Sequence, residues 1–251
     1  YLFYKNLSNN FKNFFPHVYS EKKIKEKINQ IEMEFVPYPN LSEIFLFKNI
    51  GPNSWIRIIH SIKKIYKSFY LEEKCKIEGD ASWLYTSKLL KRFEMTIKFI
   101  KNSNNTYLKK ILTDGIYVNN IFHTGNLYKT FDSLCKFLKG YEQNLKQYIG
   151  HGDLCFNNIL VDQISGCIKL IDPKAYWDKK RNIFGLVDPN YDLAKLNHSY
   201  RYLYDSIVNK LYSIKINNKN VELIIYAPSE YDLVNKFFDQ ILIKKNIDDD
   251  L

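Results

Sequence analysis

The sequence predicts an α+β fold, on three observations. Apolar residues recur at helical spacing as Trp55, Ile58, Ile59, Ile62, Ile65, Tyr66 and Phe69. Two short apolar runs, Ile159 to Val161 and Ile168 to Ile171, flank Asp162-Gln163-Ile164-Ser165-Gly166, which has the composition of a hairpin loop. A second hairpin is read at Leu211 to Ile216 and Val221 to Tyr226, around Asn217-Asn218-Lys219-Asn220. With 251 residues and 45% hydrophobic content, the chain can bury a substantial core, as one large domain or as two lobes sharing a cleft.

The elements follow in order. Residues 1 to 15 set Phe3, Phe11, Phe14 and Phe15 on a helical or irregular apolar surface that ends at Pro16. His17 to Ser20 and Ile31 to Val36 read as short strands around the Lys-rich turn Glu21 to Lys27. Asn40 or Ser42 caps a short helix through Phe47, and Asn53 or Ser54 caps the longer helix that carries the Trp55 stripe. Ala81 to Ile100 reads as a second amphipathic helix, with Trp83, Leu84, Leu90, Phe93, Ile97 and Ile100 on one side. Lys88 and Arg92 share another face of it, either to meet an anionic substrate or as a solvated surface. A short helix follows at 107 to 114. Thr124 or Asn126 begins another, with Leu127, Phe131, Leu134, Leu138 and Tyr141 inward and an end near Gly140 to Glu142. Gln147 to Ile149 reads as a strand.

After Pro173, Lys174 to Gly185 is polar and aromatic and reads as a mobile substrate segment, with Lys174, Tyr176 and Trp177 as candidate substrate contacts. A helix begins in Asp188-Pro189-Asn190-Tyr191-Asp192, with Asn190 or Asp192 near its positive dipole end. A last helix is expected from about Ser229 to Lys244, before a frayed acidic tail at Asp248 to Leu251.

Composition excludes several classes. The net charge is +10, but the lysines are spread along the chain without a basic block or nucleic-acid motif, which argues against a nucleic-acid partner. No apolar run approaches the roughly 18 residues of a membrane span, and no charged-then-apolar signal segment opens the chain. Cys75, Cys135, Cys155 and Cys167 form no Cys-x-x-Cys pair, so reduced thiols in a cytoplasmic protein are expected.

The chemistry concentrates between Ile149 and Pro173. Asp153 is followed five residues later by Asn158 and fourteen residues after that by Asp172. The hairpin between the last two folds Asp172 back beside Asn158. An Asn and an Asp are hard oxygen ligands for Mg²⁺ on nucleotide phosphates, and a further Asp can accept or orient the proton of an attacking hydroxyl. Asp153 is therefore the candidate base, and Asn158 and Asp172 are the candidate metal ligands. Ordinary turn chemistry is the competing reading for these residue types.

His151-Gly152-Asp153 through Asn158, followed by Ile171-Asp172-Pro173, resembles the catalytic core of the aminoglycoside phosphotransferase and choline kinase family. The resemblance implies a protein-kinase-like fold. Residues 1–36 would be the remnant of a small N-lobe sheet with its hinge, and residues 37–251 a mostly helical C-lobe carrying the catalytic-loop hairpin. It implies ATP and Mg²⁺ as cofactors and phosphoryl transfer to the hydroxyl of a small-molecule substrate. Gly152 and Pro173 point to the small-molecule branch of that fold. The backbone near Glu34 and Val36 would bond an adenine edge, or else belong to an ordinary buried strand. His151 would be a packed structural residue and Asp192 the brace of the catalytic loop. The wording Leu-Cys-Phe-Asn-Asn-Ile-Leu, Ile-Asp-Pro-Lys and Tyr-Asp-Leu-Ala-Lys-Leu is most similar to members associated with capsule and surface-polysaccharide synthesis, which suggests a sugar or choline-like acceptor.

No glycine precedes Gly51, so neither a Gly-rich phosphate loop nor its paired Lys is found near the start of the chain. An upstream domain or a missing N-lobe segment would supply that roof. The alternative function is a catalytically inactive kinase-like domain that binds a nucleotide or a partner. A protein kinase proper lacks support, because no Ala-Pro-Glu anchor follows Asp172.

Overall fold

The structure is a computed structural model that describes residues 3–4, 7, 9–24, 27–71, 82, 84–123, 126–143, 145, 148–174, 176–178, 183–217 and 220–244. In chain order the elements are α1 (Asn9–Lys12), β1 (Val18–Ile24), β2 (Lys27–Met33), α2 (Leu41–Phe47), α3 (Pro52–Leu71), α4 (Thr86–Asn102), α5 (Thr106–Asp114), β3 (Ile116–Val118), β4 (Ile121–His123) and α6 (Leu127–Glu142). There follow β5 (Tyr148–Ile149), a 3-10 turn (Phe156–Asn158), β6 (Ile159–Val161), β7 (Ile168–Leu170), β8 (Tyr176–Asp178), β9 (Ile183–Val187), α7 (Pro189–Tyr200), α8 (Tyr204–Val208), β10 (Tyr212–Asn217), β11 (Asn220–Ile225) and α9 (Tyr231–Phe238), which continues as a π-type turn (Asp239–Lys244). The fold is a mixture of helix and sheet. Among the described residues, no helix is long and apolar enough to cross a membrane.

Two compact units emerge, one made of Tyr1–Lys76, Gln147–Asn209 and Ala227–Leu251, the other of Ile77–Lys146 and Lys210–Tyr226. This division does not run along the expected 1–36 and 37–251 boundary. Residues 1–36 share a unit with the helices that follow them, because Leu7, Phe11 and Phe15 are buried in the same core as Trp55, Ile58, Ile62 and Phe69 of α3. The stripe that predicts α3 is the stripe that packs. Its start differs: α3 opens at Pro52, after Gly51 at φ +75, instead of being capped by Asn53 or Ser54. Proline at the first helical position needs no hydrogen-bonded N–H. Asn40 caps α2 as expected, its side chain accepting the Glu43 N–H at 2.8 Å.

In this first unit, Glu230 ties the chain ends of the core together. Its carboxylate accepts the N–H of Ile50 (3.1 Å), that of Gly51 (2.9 Å) and the indole N–H of Trp55 (2.8 Å). The N-terminal strands run further into charge than expected: β1 continues through Glu21 to Ile24 and β2 starts at Lys27 but stops at Met33, so Glu34 to Val36 are not strand. The hydrogen bonds between the two strands are made by backbone groups whatever the side chains are, so Lys-rich composition does not end the pair. Lys174 to Gly185 is a second departure. There β8 and β9 pair with each other, and β9 with β5, into a three-stranded sheet, where a mobile segment was expected.

The second unit holds α4, α5, α6 and a four-stranded sheet in the order β10-β11-β3-β4. The hairpin at 211–226 is present. The β3–β4 hairpin was not anticipated; Asn119 and Asn120 turn it with φ of 51° and 66°, a left-handed pair that asparagine tolerates. The Asn119 amide then bonds the Leu223 backbone in both directions at 2.9 and 2.8 Å, helping to dock the hairpin on β11. The helix expected at Ala81 to Ile100 runs from Thr86 to Asn102, while Ala81 and Trp83 lie outside the described residues. Of the apolar set expected inward on α6, Leu134 is 43% exposed. Phe131 is buried as expected, stacked on Phe93 of α4, and Cys135 is buried beside it. Glu142 closes α6 onto α4 by accepting the Thr86 N–H and hydroxyl, both at 2.6 Å.

Candidate active site

Three elements of the first unit build the site: the loop 150–158, the β6–β7 hairpin and helix α7. The expected hairpin forms, with Ile159 opposite Leu170 and Val161 opposite Ile168. The N–H of Ile171 donates to the carbonyl of Asn158 at 3.0 Å, which brings Asp172 beside the turn that carries Asn158. Asp172 itself adopts φ +54, a left-handed conformation that Asp accommodates better than most residues and that clusters at functional sites.

The loop is gripped by one face of α7. Asp188 caps that helix, accepting the Asn190 N–H at 3.0 Å, with Pro189 at its first turn. Asp192, fully buried, accepts the backbone N–H groups of His151 (2.8 Å) and Gly152 (2.9 Å). The ammonium of Lys195 lies 2.8 Å from Asp153 Oδ1, and the Ser199 hydroxyl accepts the Phe156 N–H at 3.1 Å. Positions i, i+3 and i+7 of a helix share a face, so a single surface of α7 fixes the loop at three points. Gly152 takes φ +78, which glycine adopts without the steric cost of a Cβ.

His151 is buried and packs on Phe15 in a stacked arrangement, with 6.2 Å between ring centroids. Its Nδ1 accepts the Asp153 N–H at 3.2 Å, so Nε2 carries the proton and donates to the Ile171 carbonyl at 2.8 Å. Burial pulls its pKa down to about 4, against the weaker opposing effects of the Ile171 carbonyl and the Asp153 and Asp172 charges. A neutral ring therefore links the two segments that carry Asp153 and Asp172.

Asp153 is half-buried. Burial alone would raise its pKa, but Lys174 at 2.8 Å from Oδ2 and Lys195 at 2.8 Å from Oδ1 outweigh this and hold it at about 2. Lys174 also reaches Asp172 Oδ2 at 3.1 Å. Its pKa is raised by its hydrogen bond to Asp153 and then by that to Asp172. Asn158 is buried, and its Nδ2 donates to the Asp153 carbonyl at 2.8 Å, which leaves the side-chain oxygen as its ligating atom. Among the described residues no group of three or more His, Cys, Asp or Glu could hold a metal. Two oxygen donors, Asn158 and the exposed Asp172, with an ammonium already lying against that carboxylate, nevertheless fit Mg²⁺. That ion is commonly bound through one or two side-chain oxygens, its shell completed by phosphate oxygens and water.

The other expected residues fall as follows. Glu34 gives its backbone N–H to the His17 carbonyl at 2.7 Å, so that group is taken and cannot also meet an adenine edge. The Glu34 carboxylate accepts the His17 N–H, which with the Lys169 ammonium at 3.4 Å holds it below the usual range. Val36 is half-buried and lies outside any strand; three residues on, the carbonyl of Pro39 accepts the N–H of Val161 on the hairpin at 3.0 Å. Tyr176 lies in β8, and its side chain is outside the described residues. Lys88 and Arg92 sit one turn apart on α4 of the second unit, Arg92 exposed. Lys195 and Ser199 were not singled out in the sequence. Their signal was the three- and seven-residue spacing from Asp192.

No family model matches the chain, and no curated protein does either. Among solved structures, the chain is similar to an aminoglycoside-3'-phosphotransferase of type VIII, at 13% identity and a TM-score of 0.44, over 92% of this chain and 68% of that one. At that identity and score the likeness does not bear on the site's residues.

Proposed function

We propose that the protein is an ATP-dependent phosphotransferase that acts on a hydroxyl group of a small molecule. What supports the reading is the meeting of Asp153, Asn158 and Asp172 around one loop and hairpin, held by His151 and by Asp192. The motifs that carry these residues resemble those of the aminoglycoside phosphotransferase and choline kinase family. In this reading Asn158 and Asp172 would hold Mg²⁺, which would neutralise developing charge on the nucleotide phosphates.

Asp153 orients the acceptor hydroxyl for in-line attack. A bond forms between the acceptor oxygen and the γ-phosphorus, the bond to the β–γ bridging oxygen breaks, and its electron pair leaves on ADP. The hydroxyl proton passes to Asp153. A carboxylate held near pKa 2 is a weak base, which suits a loose transition state in which the proton moves late. Asp192 and His151 keep the loop in place and take no part in the bond changes. The acceptor in this reading is a sugar or choline-like alcohol of surface-polysaccharide synthesis, in the cytoplasm where ATP is found.

The test is Mg²⁺-dependent ADP formation against a panel of sugars, polyols and amino alcohols. Wild type should turn over at least one of them. Asp153→Asn should lose on the order of 10³-fold in turnover while keeping its nucleotide affinity, and Asp172→Ala should lose the Mg²⁺ dependence of nucleotide binding. Full activity in Asp153→Asn removes that residue from the mechanism. Mg²⁺-dependent nucleotide binding with no transfer to any alcohol favours the inactive, nucleotide-binding alternative.

A further inference from the structure

Both oxygens of Asp153 are engaged by ammonium groups, but the two lysines are held differently. Lys195 projects from the middle of α7, three residues from Asp192, and its side chain is 25% exposed. Lys174 lies just after Pro173 with its side chain 56% exposed. Its backbone is anchored, since its N–H donates to the His151 carbonyl at 2.8 Å, so freedom to move belongs to the four-carbon stem. That stem ends between two carboxylates, 2.8 Å from Asp153 Oδ2 and 3.1 Å from Asp172 Oδ2.

An acceptor hydroxyl needs one oxygen of Asp153. Oδ1 belongs to the more buried lysine on the rigid helix, so Oδ2 is the oxygen that can be released. An ammonium leaving Oδ2 keeps its charge within reach of the space between Asp153 and Asp172. In a phosphotransferase the transferred group must cross that space with its negative oxygens unneutralised on one side.

We propose that Lys174 is the phosphoryl-binding residue of this site: it exchanges Asp153 Oδ2 for an oxygen of the γ-phosphate, freeing the carboxylate for the acceptor while Lys195 keeps Asp153 aligned. No covalent bond of Lys174 is made or broken, and its protons stay on it; one anionic hydrogen-bond acceptor replaces another. The proposal rests on the phosphotransferase reading above, and it adds a contact specific to the γ-phosphate.

Calorimetric titration of the 251-residue chain with Mg-ATP and Mg-ADP separates the two. Wild type should prefer ATP, and Lys174→Met should lose on the order of tenfold of that preference, with ADP affinity and melting temperature unchanged. Lys174→Arg should restore most of it, because a guanidinium also donates to phosphate. An unchanged ATP-to-ADP ratio in Lys174→Met overturns the assignment while leaving the phosphotransferase reading intact. An equal fall in Lys195→Met overturns it too, by tracing the effect to net charge. A wild type that binds neither nucleotide overturns the phosphotransferase reading itself.

Discussion

Asp192 and Gly152, forty residues apart in sequence, are joined by a hydrogen bond of 2.9 Å from the glycine N–H to a carboxylate oxygen with no exposure to solvent. The other oxygen of Asp192 takes the N–H of His151. A buried carboxylate satisfied by two backbone donors fixes the path of the loop directly before Asp153, and misplacement by about 1 Å can cost 10²-fold in rate.

Asp192→Asn keeps the size and one acceptor oxygen but presents an amide to an N–H donor. The expected result is a fall in kcat on the order of 100-fold with a much smaller change in nucleotide KM. Under the proposed phosphotransferase reading, steady-state kinetics on an acceptor found by the alcohol panel reads the split. A KM effect alone would place Asp192 in nucleotide binding.

His151 gives the fold a pH dependence of known sign. In the unfolded chain a histidine takes up its proton near pH 6.5, whereas the buried ring does so near 4. As the pH falls from about 6.5 to about 4, the unfolded state binds a proton that the folded state does not, and stability is lost across that window. Roughly 3 kcal/mol is at stake. Urea unfolding at pH 7 and pH 4.5 should show the loss in wild type and a flatter profile in His151→Gln; equal slopes would mean that the ring is not buried neutral.

Glu230 is tested by heat. Removing its carboxylate strands the buried Trp55 indole N–H and leaves the half-buried amides of Ile50 and Gly51 without this acceptor, at a cost on the order of 3 kcal/mol. Glu230→Ala should lower Tm by roughly 10 °C and Glu230→Gln by less, since its amide oxygen still accepts. A Tm within about 2 °C of wild type in the alanine variant would show that these donors find other partners.

Much of the candidate site was legible because its residues lie close in sequence. The hairpin between Asn158 and Asp172 follows from two short apolar runs around a turn-forming loop, and the structure pairs those runs. The α3 stripe was legible for the same reason: a period of 3.6 in side-chain polarity is a local property. Lys195 and Ser199 were harder to see. Each is an ordinary helical polar residue until the loop is laid against its face. The β3–β4 hairpin was missed because its turn is Asn119-Asn120 without a glycine, and its strands are three residues each.

The sequence by itself determined the chemical identities at the site, the hairpin that brings Asn158 and Asp172 together, and the helical stripe of the core. Those depend on spacing within a few turns of chain. Only the tertiary structure decided that Tyr176–Asp178 and Ile183–Val187 are sheet, since strand pairing of β8 and β9 with β5 is a contact between separated segments. It alone showed that Glu34 spends its N–H on His17 and that Lys174 and Lys195 both close on Asp153. The physical reason is common to these cases: hydrogen bonds and ion pairs form between groups brought near by packing, and no periodicity in the chain encodes which groups those will be.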